Sequence, residues 1–469
     1  MSGPSKSELQ LLLRAGTPLA LASLVQTLVG TIAVAVAGRL GEGTLGAVGL
    51  GSAVYFTVAV LGVGVLLGID PIVTQAVGRG DTEHARRALA QGLVLALLLC
   101  LPLGVLATRV VAGLHGIDLA PETLGSVHAY VWGRLPGLAP FLGFVVLRSS
   151  LAAEGRTGHV LTAAVAANLC VLASAPGLAE AHGPLGIGWA ESLGAWVQAV
   201  VLLGCVRPRG LLRLVGRLEL IVPMLRVGVP VGLALVLEYA VFAGVNLQVA
   251  LLEPAALGAH QVAITWVGTL FMLPVGFGGA AAARVGQALG RGDVASARRA
   301  GVAALAIAVG FGAVAALPFL TIPRLLASWV TSDPHAISLA LPLMGVAALA
   351  LVADSAQAVL AGAVRGAGDT RFALLASLLG HYGLGLPVGF VLATRGGLGT
   401  TGLWLGLSVG LGSVALLLAL RFIVVIAPLG RRAERCEPRS RESSLPAPWP
   451  GPECSPHPSL GPETSRLHP

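Results

Sequence analysis

The sequence predicts an all-α integral membrane protein: twelve transmembrane helices in two six-helix lobes related by an internal repeat. Hydrophobic residues fill 55% of the 469 positions and charged ones only 11%, against roughly 25% charged in a soluble chain. Apolar runs of about 20 residues or more, the length that crosses a bilayer, succeed one another from residue 14 to residue 427. The segment from Leu45-Gly46-Ala47 through Gly78-Arg79-Gly80-Asp81 to Ala85-Arg86-Arg87-Ala88 recurs 212 residues later, from Leu257-Gly258-Ala259 through Gly290-Arg291-Gly292-Asp293 to Ala297-Arg298-Arg299-Ala300. Eighteen of its 44 aligned positions are identical and several are polar, so shared hydrophobicity does not account for the match.

Taken in order, the first run, 14–38, stops at Arg39, and the second, 45–76, at the Gly78-Arg79-Gly80-Asp81 turn. The third, 89–110, follows Arg86-Arg87, and the fourth, 122–148, ends on Arg148. Runs five and six, 158–178 and 184–206, lie between Arg156 and Arg207. The seventh, 226–252, begins at Arg226, and the eighth, 257–283, ends before Arg284. Runs nine to twelve are 299–322, 335–362, 371–394 and 398–427. Residues 1–207 therefore form an N-terminal six-helix lobe, 208–225 a basic linker along the cytoplasmic surface, and 226–427 the C-terminal lobe. With an even number of helices per lobe the repeats are parallel, related by an axis along the membrane normal. The 64 glycines and abundant alanines suit a bundle whose backbones approach closely in lipid. From Pro428 the composition turns to Pro, Ser, Arg and Glu, with ten of the 29 prolines in the last 42 residues. Residues 428–469 read as a disordered cytoplasmic tail.

Charge orients the chain. With the N-terminus inside, 18 basic residues before the tail fall on the cytoplasmic side, whereas the opposite loops hold only Arg39, Arg109, Arg324 and Arg395. Both termini are expected in the cytoplasm. The net charge of +8 is thus a topological bias, not a nucleic-acid footprint. The N-terminus shows no removable signal, and the five cysteines have no metal or redox spacing. No Gly-x-x-x-x-Gly-Lys-Ser/Thr loop is present, so ATP is not the expected energy source.

An ionisable group at mid-bilayer costs about 2.5–3.5 kcal/mol on insertion scales, which makes each one a functional candidate. Reading inward from the loops leaves Asp70, Arg134, Glu191, Glu238, Asp354 and His381. Glu238 lies twelve residues into the seventh run, about 18 Å along its axis. Asp354 lies in the tenth, with Gln357 one turn on and on the same face. Two carboxylates facing one cavity raise each other's proton affinity, or hold Na⁺ between them, and attract a cationic ligand. Asp70 precedes Pro71, where a kink or local capping is the simpler reading. Glu191 reads as a headgroup-level charge or local pair, and Arg134 pairs with a carboxylate or snorkels.

Several signatures together resemble the multidrug and toxic compound extrusion (MATE) family, NorM-type bacterial branch. They are Ala37-Gly38-Arg39-Leu40-Gly41, Gln75-Ala76-Val77-Gly78-Arg79-Gly80-Asp81, Ala259-His260-Gln261, Val285-Gly286-Gln287-Ala288-Leu289-Gly290, Asp354-Ser355-Ala356-Gln357, Gly362-Ala363-Val364-Arg365-Gly366-Ala367-Gly368-Asp369-Thr370 and Gly402-Leu403-Trp404-Leu405-Gly406. The resemblance runs from about residue 14 to 425. It implies no enzyme but an antiporter of the bacterial inner membrane, exporting organic cations in exchange for Na⁺ or H⁺ by alternating access of two lobes. No cofactor and no nucleic-acid partner are expected, and a monomer suffices. Glu238 and Asp354 match the family's acidic positions and become the cation-coupling residues, and the metal ligands if Na⁺ couples. Gln26, Thr31, Asn168, Tyr239, Asn246, Gln357, His381 and Tyr382 are the substrate-cavity candidates.

The chain departs from the family in its first helix, where Ala33 stands at the usual aspartate register. In the repeat register Glu238 corresponds to Gln26, and Asp354 falls opposite the apolar Phe141 region. Coupling is therefore expected to reside in the second lobe. A lipid-linked saccharide flippase of the same superfamily is the alternative, but an anionic headgroup calls for a basic cavity. A transport-dead receptor acting through its tail would lose function on deletion of 428–469 and not on Glu238→Gln.

Overall fold

The computed structural model describes residues 6–116, 120–206, 214 and 218–435. Lobe one comprises α1 (Lys6–Leu40), α2 (Glu42–Leu66), α3 (Ile69–Arg79), α4 (Thr82–Gly113), α5 (Pro121–Arg134), α6 (Leu138–Ala153), α7 (Gly158–His182) and α8 (Pro184–Cys205). Lobe two comprises α9 (Ile221–Leu252), α10 (Leu257–Gly290), α11 (Val294–Thr321), α12 (Pro323–Ser328), α13 (Pro334–Gly366), α14 (Thr370–Ser377), α15 (Leu386–Thr394) and α16 (Gly399–Arg435). Among the described residues twelve spans are long and apolar enough to cross a membrane, as the sequence predicts.

The helices outrun their apolar cores, because polar first and last turns continue the hydrogen-bond ladder into the interface. α1 starts at Lys6 and α9 at Ile221, so the last residues assigned to the linker are helical. α16 continues to Arg435, which corrects the expected start of the disordered tail at 428: the ladder passes Pro428. The rest of the tail, 436–469, residue 207 at the end of lobe one, and linker residues 208–213 and 215–217 lie outside the described residues.

Three spans are interrupted. The second breaks at Leu67-Gly68 between α2 and α3, and the fourth passes through a 3₁₀ turn at Leu135–Gly137 between α5 and α6. The eleventh carries a π-helical stretch, Leu378–Gly385, between α14 and α15. π-Helical turns are strained and concentrate near functional sites.

The turn shared by the two repeats has a mechanical reason. Gly80 and Gly292 take φ of 76° and 75°, a left-handed conformation that ends one helix. The next residue then caps the following helix: Asp81 accepts from the His84 N–H at 2.9 Å and Asp293 from the Ser296 N–H at 2.8 Å. Asp293→Ala should lower stability by about 1 kcal/mol, read as the thermal midpoint of the detergent-solubilised protein, with Asp293→Asn, which still caps, losing much less. The bonds from Ser296, side chain and then backbone, hold the Asp293 carboxyl below the usual carboxylate range. Its contribution is accordingly present above the unfolded value and fades as pH falls through the depressed native one.

The lobes meet reciprocally. α1 packs on α10, and α2 packs on α9, with α3 also against α10. First span on eighth and second on seventh is the pairing that a two-fold axis along the membrane normal requires. The meeting line lies at the ends of the helices that carry the basic loops, called here the basic face. There Gly64 sits on the Gly232 backbone and Gly68 on that of Gly228, so that a Cβ at either would strike the other lobe. One buried apolar cluster fills lobe one and crosses this seam through residues such as Leu19, Ala280 and Val285. A second, including Val241, Met344 and Trp404, lies within lobe two.

Candidate functional site

α9 divides its residues between two surroundings. Val241, Val245 and Val249 are all 2% exposed or less, and their spacing from Glu238 of three, seven and eleven residues puts the carboxylate on that stripe. Glu238 is therefore directed into lobe two, half-buried. There Gln357 and Asp354 of α13 lie within electrostatic reach of it. Asp354, Ser355 and Gln357 are 2%, 0% and 4% exposed, because α13 runs through the middle of lobe two between α10, α11 and α16.

The notable feature is what these groups lack. Asp354 Oδ1 and Gln357 Oε1 are buried acceptors without a donor. A buried polar atom left unpaired is costly, and nearly all find partners in folded proteins. Two bare oxygens one turn apart beside a second carboxylate form an acceptor-rich pocket.

A neighbouring stripe of α9, Tyr239, Phe242, Ala243 and Asn246, faces between the lobes. With Ala53, Thr57 and Val58 of α2 and His260 and Gln261 of α10 it lines a cavity of about 440 Å³. The Phe56 and Tyr239 rings, one from each lobe, lie 5.6 Å apart at its edge. No Arg or Lys is among its lining residues. Aromatic faces and amide oxygens without basic groups suit an amphipathic cation. A larger cavity, about 1180 Å³, opens at the basic end of lobe one beside Arg86, Glu154 and Arg156, and neither carboxylate lines it.

The sequence-predicted residues thus separate. Glu238, Asp354 and Gln357 come together, whereas Tyr239 and Asn246 line the inter-lobe cavity. Neither Glu238 nor Asp354 is among the residues lining that cavity, because the two helical stripes of α9 diverge. Gln26 pairs amide to amide with Gln198 of α8, at 3.1 and 3.0 Å. Asn168 donates to the carbonyls of Val25 and Ala164, both at 2.9 Å, tying α7 to α1. Gln26 is thus engaged within lobe one, whereas Asn168 spends its amide hydrogens there and leaves its buried Oδ1 without a donor. Thr31 is exposed and donates to its own helix at Thr27. His381, 1% exposed, does not line the cavity as expected, because the π-helical stretch packs it against α16. Both its ring nitrogens are without partners. Tyr382 instead donates to the Leu237 carbonyl at 2.9 Å, steadying α9 immediately before Glu238.

The remaining intramembrane charges are accounted for. Glu191 is a local pair, with Arg134 Nη1 at 3.6 Å and the Tyr130 hydroxyl donating at 2.5 Å. Asp70 sits just after the break in the second span, yet its carboxylate accepts from Arg365 of the other lobe at 2.8 Å. The kink was legible in Asp70-Pro71, but the partner, 295 residues away, was not. His260 was also missed as a wall residue: its Nδ1 accepts from Trp404 Nε1 at 3.1 Å, which fixes its orientation. Its signal was present in the Ala259-His260-Gln261 signature.

The family model MatE matches residues 18–176 and 230–391. A probable multidrug resistance protein NorM of Bradyrhizobium diazoefficiens is 34% identical over 431 residues, covering 87% of this chain and 92% of the relative. A second, of Deinococcus radiodurans, is 35% identical over 432 residues, covering 89% and 95%. Among solved structures, one described as the outward-facing conformation of a multidrug resistance MATE family transporter superposes with a TM-score of 0.84 at 18% identity, covering 90% of this chain and 96% of that one.

Proposed function

The chain belongs to the MATE family of multidrug efflux transporters, and from that premise we propose a secondary antiporter that exports amphipathic organic cations in exchange for Na⁺ or H⁺. The observation that carries the coupling is the pair of unpartnered acceptors, Asp354 Oδ1 and Gln357 Oε1, beside Glu238. An inward-moving cation satisfies them and neutralises lobe two. The organic cation occupies the aromatic inter-lobe cavity, with Tyr239 and Asn246 on its wall. Because Glu238 and Tyr239 are consecutive on α9, neutralising one alters the electrostatics of the other's wall. Coupling is thus exclusion by charge: the carboxylates hold either the coupling ion or, through the field they project, the drug.

The absence of basic groups from the cavity wall supports a cationic cargo over an anionic lipid-linked saccharide. The bias of basic loops supports a reading with both termini in the cytoplasm, and in this reading the membrane is the bacterial inner membrane. Each lobe pair encloses its own pathway, so the monomer is the transporting unit.

Reconstitution tests this. Purified protein in liposomes loaded with tetraphenylphosphonium should release it when a Na⁺ gradient or a pH gradient alone is imposed, and the gradient that works identifies the coupling ion. Release at the same rate with neither gradient would sink the antiport reading.

A further inference from the structure

Two buried ion pairs join the lobes at the basic face, and neither belongs to the coupling site. Asp70 of α3, 5% exposed, holds Arg365 of α13 at 2.8 Å. Arg148 of α6 lies within electrostatic reach of both. Glu8 of α1 accepts from Arg284 of α10 through both oxygens, at 3.1 and 3.0 Å. Arg365 differs from Arg284 in the helix that carries it. Asp354 precedes it by eleven residues on α13, downstream of that helix's one internal proline, Pro342. At about 100° and 1.5 Å per residue, the two side chains leave within about 20° of the same face, about 16 Å apart along the axis. One uninterrupted rod therefore carries a coupling carboxylate at one level and an inter-lobe ion pair at another.

We infer that Arg365 is a positioning residue of the transport cycle: its pair with Asp70 fixes α13, and with it Asp354, while the basic face is closed, and the pair parts when that face opens. The inference rests on the reading of Glu238 and Asp354 as the coupling site. A buried charge deprived of its partner is strongly unfavourable, so the two separate only where both reach water. Opening the basic face supplies that water, and closing it expels it. The pair accordingly has two arrangements, joined and dry or apart and wet, as a switching element requires. The break at Leu67-Gly68 and the Asp70-Pro71 step start α3 anew, and Asp70 stands in its first turn, at the seam. A translation or rotation of α13 on cation binding is delivered to that seam by the same rod.

The full-length chain tests this with its five cysteines replaced and a reporter, Ala20→Cys, at the α1–α10 seam, where Ala20 is 2% exposed and lies against Gly276. Labelling by a membrane-impermeant maleimide, without any drug, reports opening of the basic face. Asp70→Asn and Arg365→Gln should each speed labelling by about 5- to 150-fold, the range of ordinary allosteric couplings. The exchange Asp70→Arg with Arg365→Asp should return the rate towards wild type, which a purely steric role would not do. The single variants should still bind tetraphenylphosphonium but accumulate it poorly against a gradient. Should Arg365→Gln fail to fold, Asp70→Asn, which keeps its side-chain shape, carries the comparison. Equal labelling of wild type and single variants overturns the inference, as does a charge exchange no slower than the singles. Saturating Na⁺ or acid should alter labelling of the wild type and not of Asp354→Asn. A response lost from both, with the latch variants still fast, overturns the coupling reading alone.

Discussion

Glu238→Gln should reduce export to the level of cells without the pump while leaving the protein folded. Glutamine preserves the shape of the side chain and its reach to Gln357, so packing along the Val241, Val245 and Val249 stripe is unchanged. What disappears is the negative charge that a coupling cation neutralises. Asp354→Asn should act in the same way, and the double variant should be no worse than either alone, because the two carboxylates act as one unit and their effects do not add. Removing a charge from lobe two should also leave the melting midpoint equal or higher, since burying a carboxylate is unfavourable. Loss of transport with retained stability distinguishes a lost coupling group from a misfolded one. Tyr239→Leu offers the contrast: it should weaken tetraphenylphosphonium binding while gradient dependence survives. Efflux assays in a strain lacking its own pumps check all four, and full export by Glu238→Gln would remove the carboxylate pair from the mechanism.

The framework was legible because bilayer length and charge asymmetry are local properties. Twelve runs, the repeat and the Gly-Asp turns could be read from residue types a few positions apart, and their physical cause is equally local: a left-handed glycine and a capping aspartate. Glu238 and Asp354 stand out in the sequence because intramembrane acids are rare. Direction was harder. Tyr239 and Glu238 are neighbours in sequence, yet one faces the cleft and the other lobe two, and only the packing of α9 decides which. Gln26 and Asn168 looked like ligand-binding groups because a polar residue in an apolar run lacks a visible partner. Their partners, Gln198 and the Val25 carbonyl, lie 172 and 143 residues away. Asp70 failed for the same reason, since Asp70-Pro71 explains a helix break without reference to Arg365. The extension of α16 past 428 ran against composition, because one proline does not end a helix already begun.

Arg134→Leu should be the most damaging single change to stability in lobe one. Arg134 and Glu191 are a buried pair, with side chains 16% and 4% exposed. The guanidinium also stacks over the Tyr55 ring at 4.2 Å, and Ser52 donates to the Tyr130 hydroxyl at 2.8 Å. Removing the arginine strands Glu191 with only the Tyr130 hydroxyl to hold it, and an uncompensated buried charge typically costs about 3–5 kcal/mol. Adding Glu191→Leu to that variant should recover most of the loss, because an apolar pair of similar volume is often as stable as the ions it replaces. The measurement is the unfolding midpoint in detergent for both singles and the double. An Arg134→Leu protein as stable as wild type would show that the charges are not a mutual support. The recovered double variant should also remain gradient-coupled, since this network joins α2, α5 and α8 within lobe one and touches neither Glu238 nor Asp354. That outcome would assign the Arg134–Glu191 network to holding lobe one's helices together, apart from the carboxylates of lobe two.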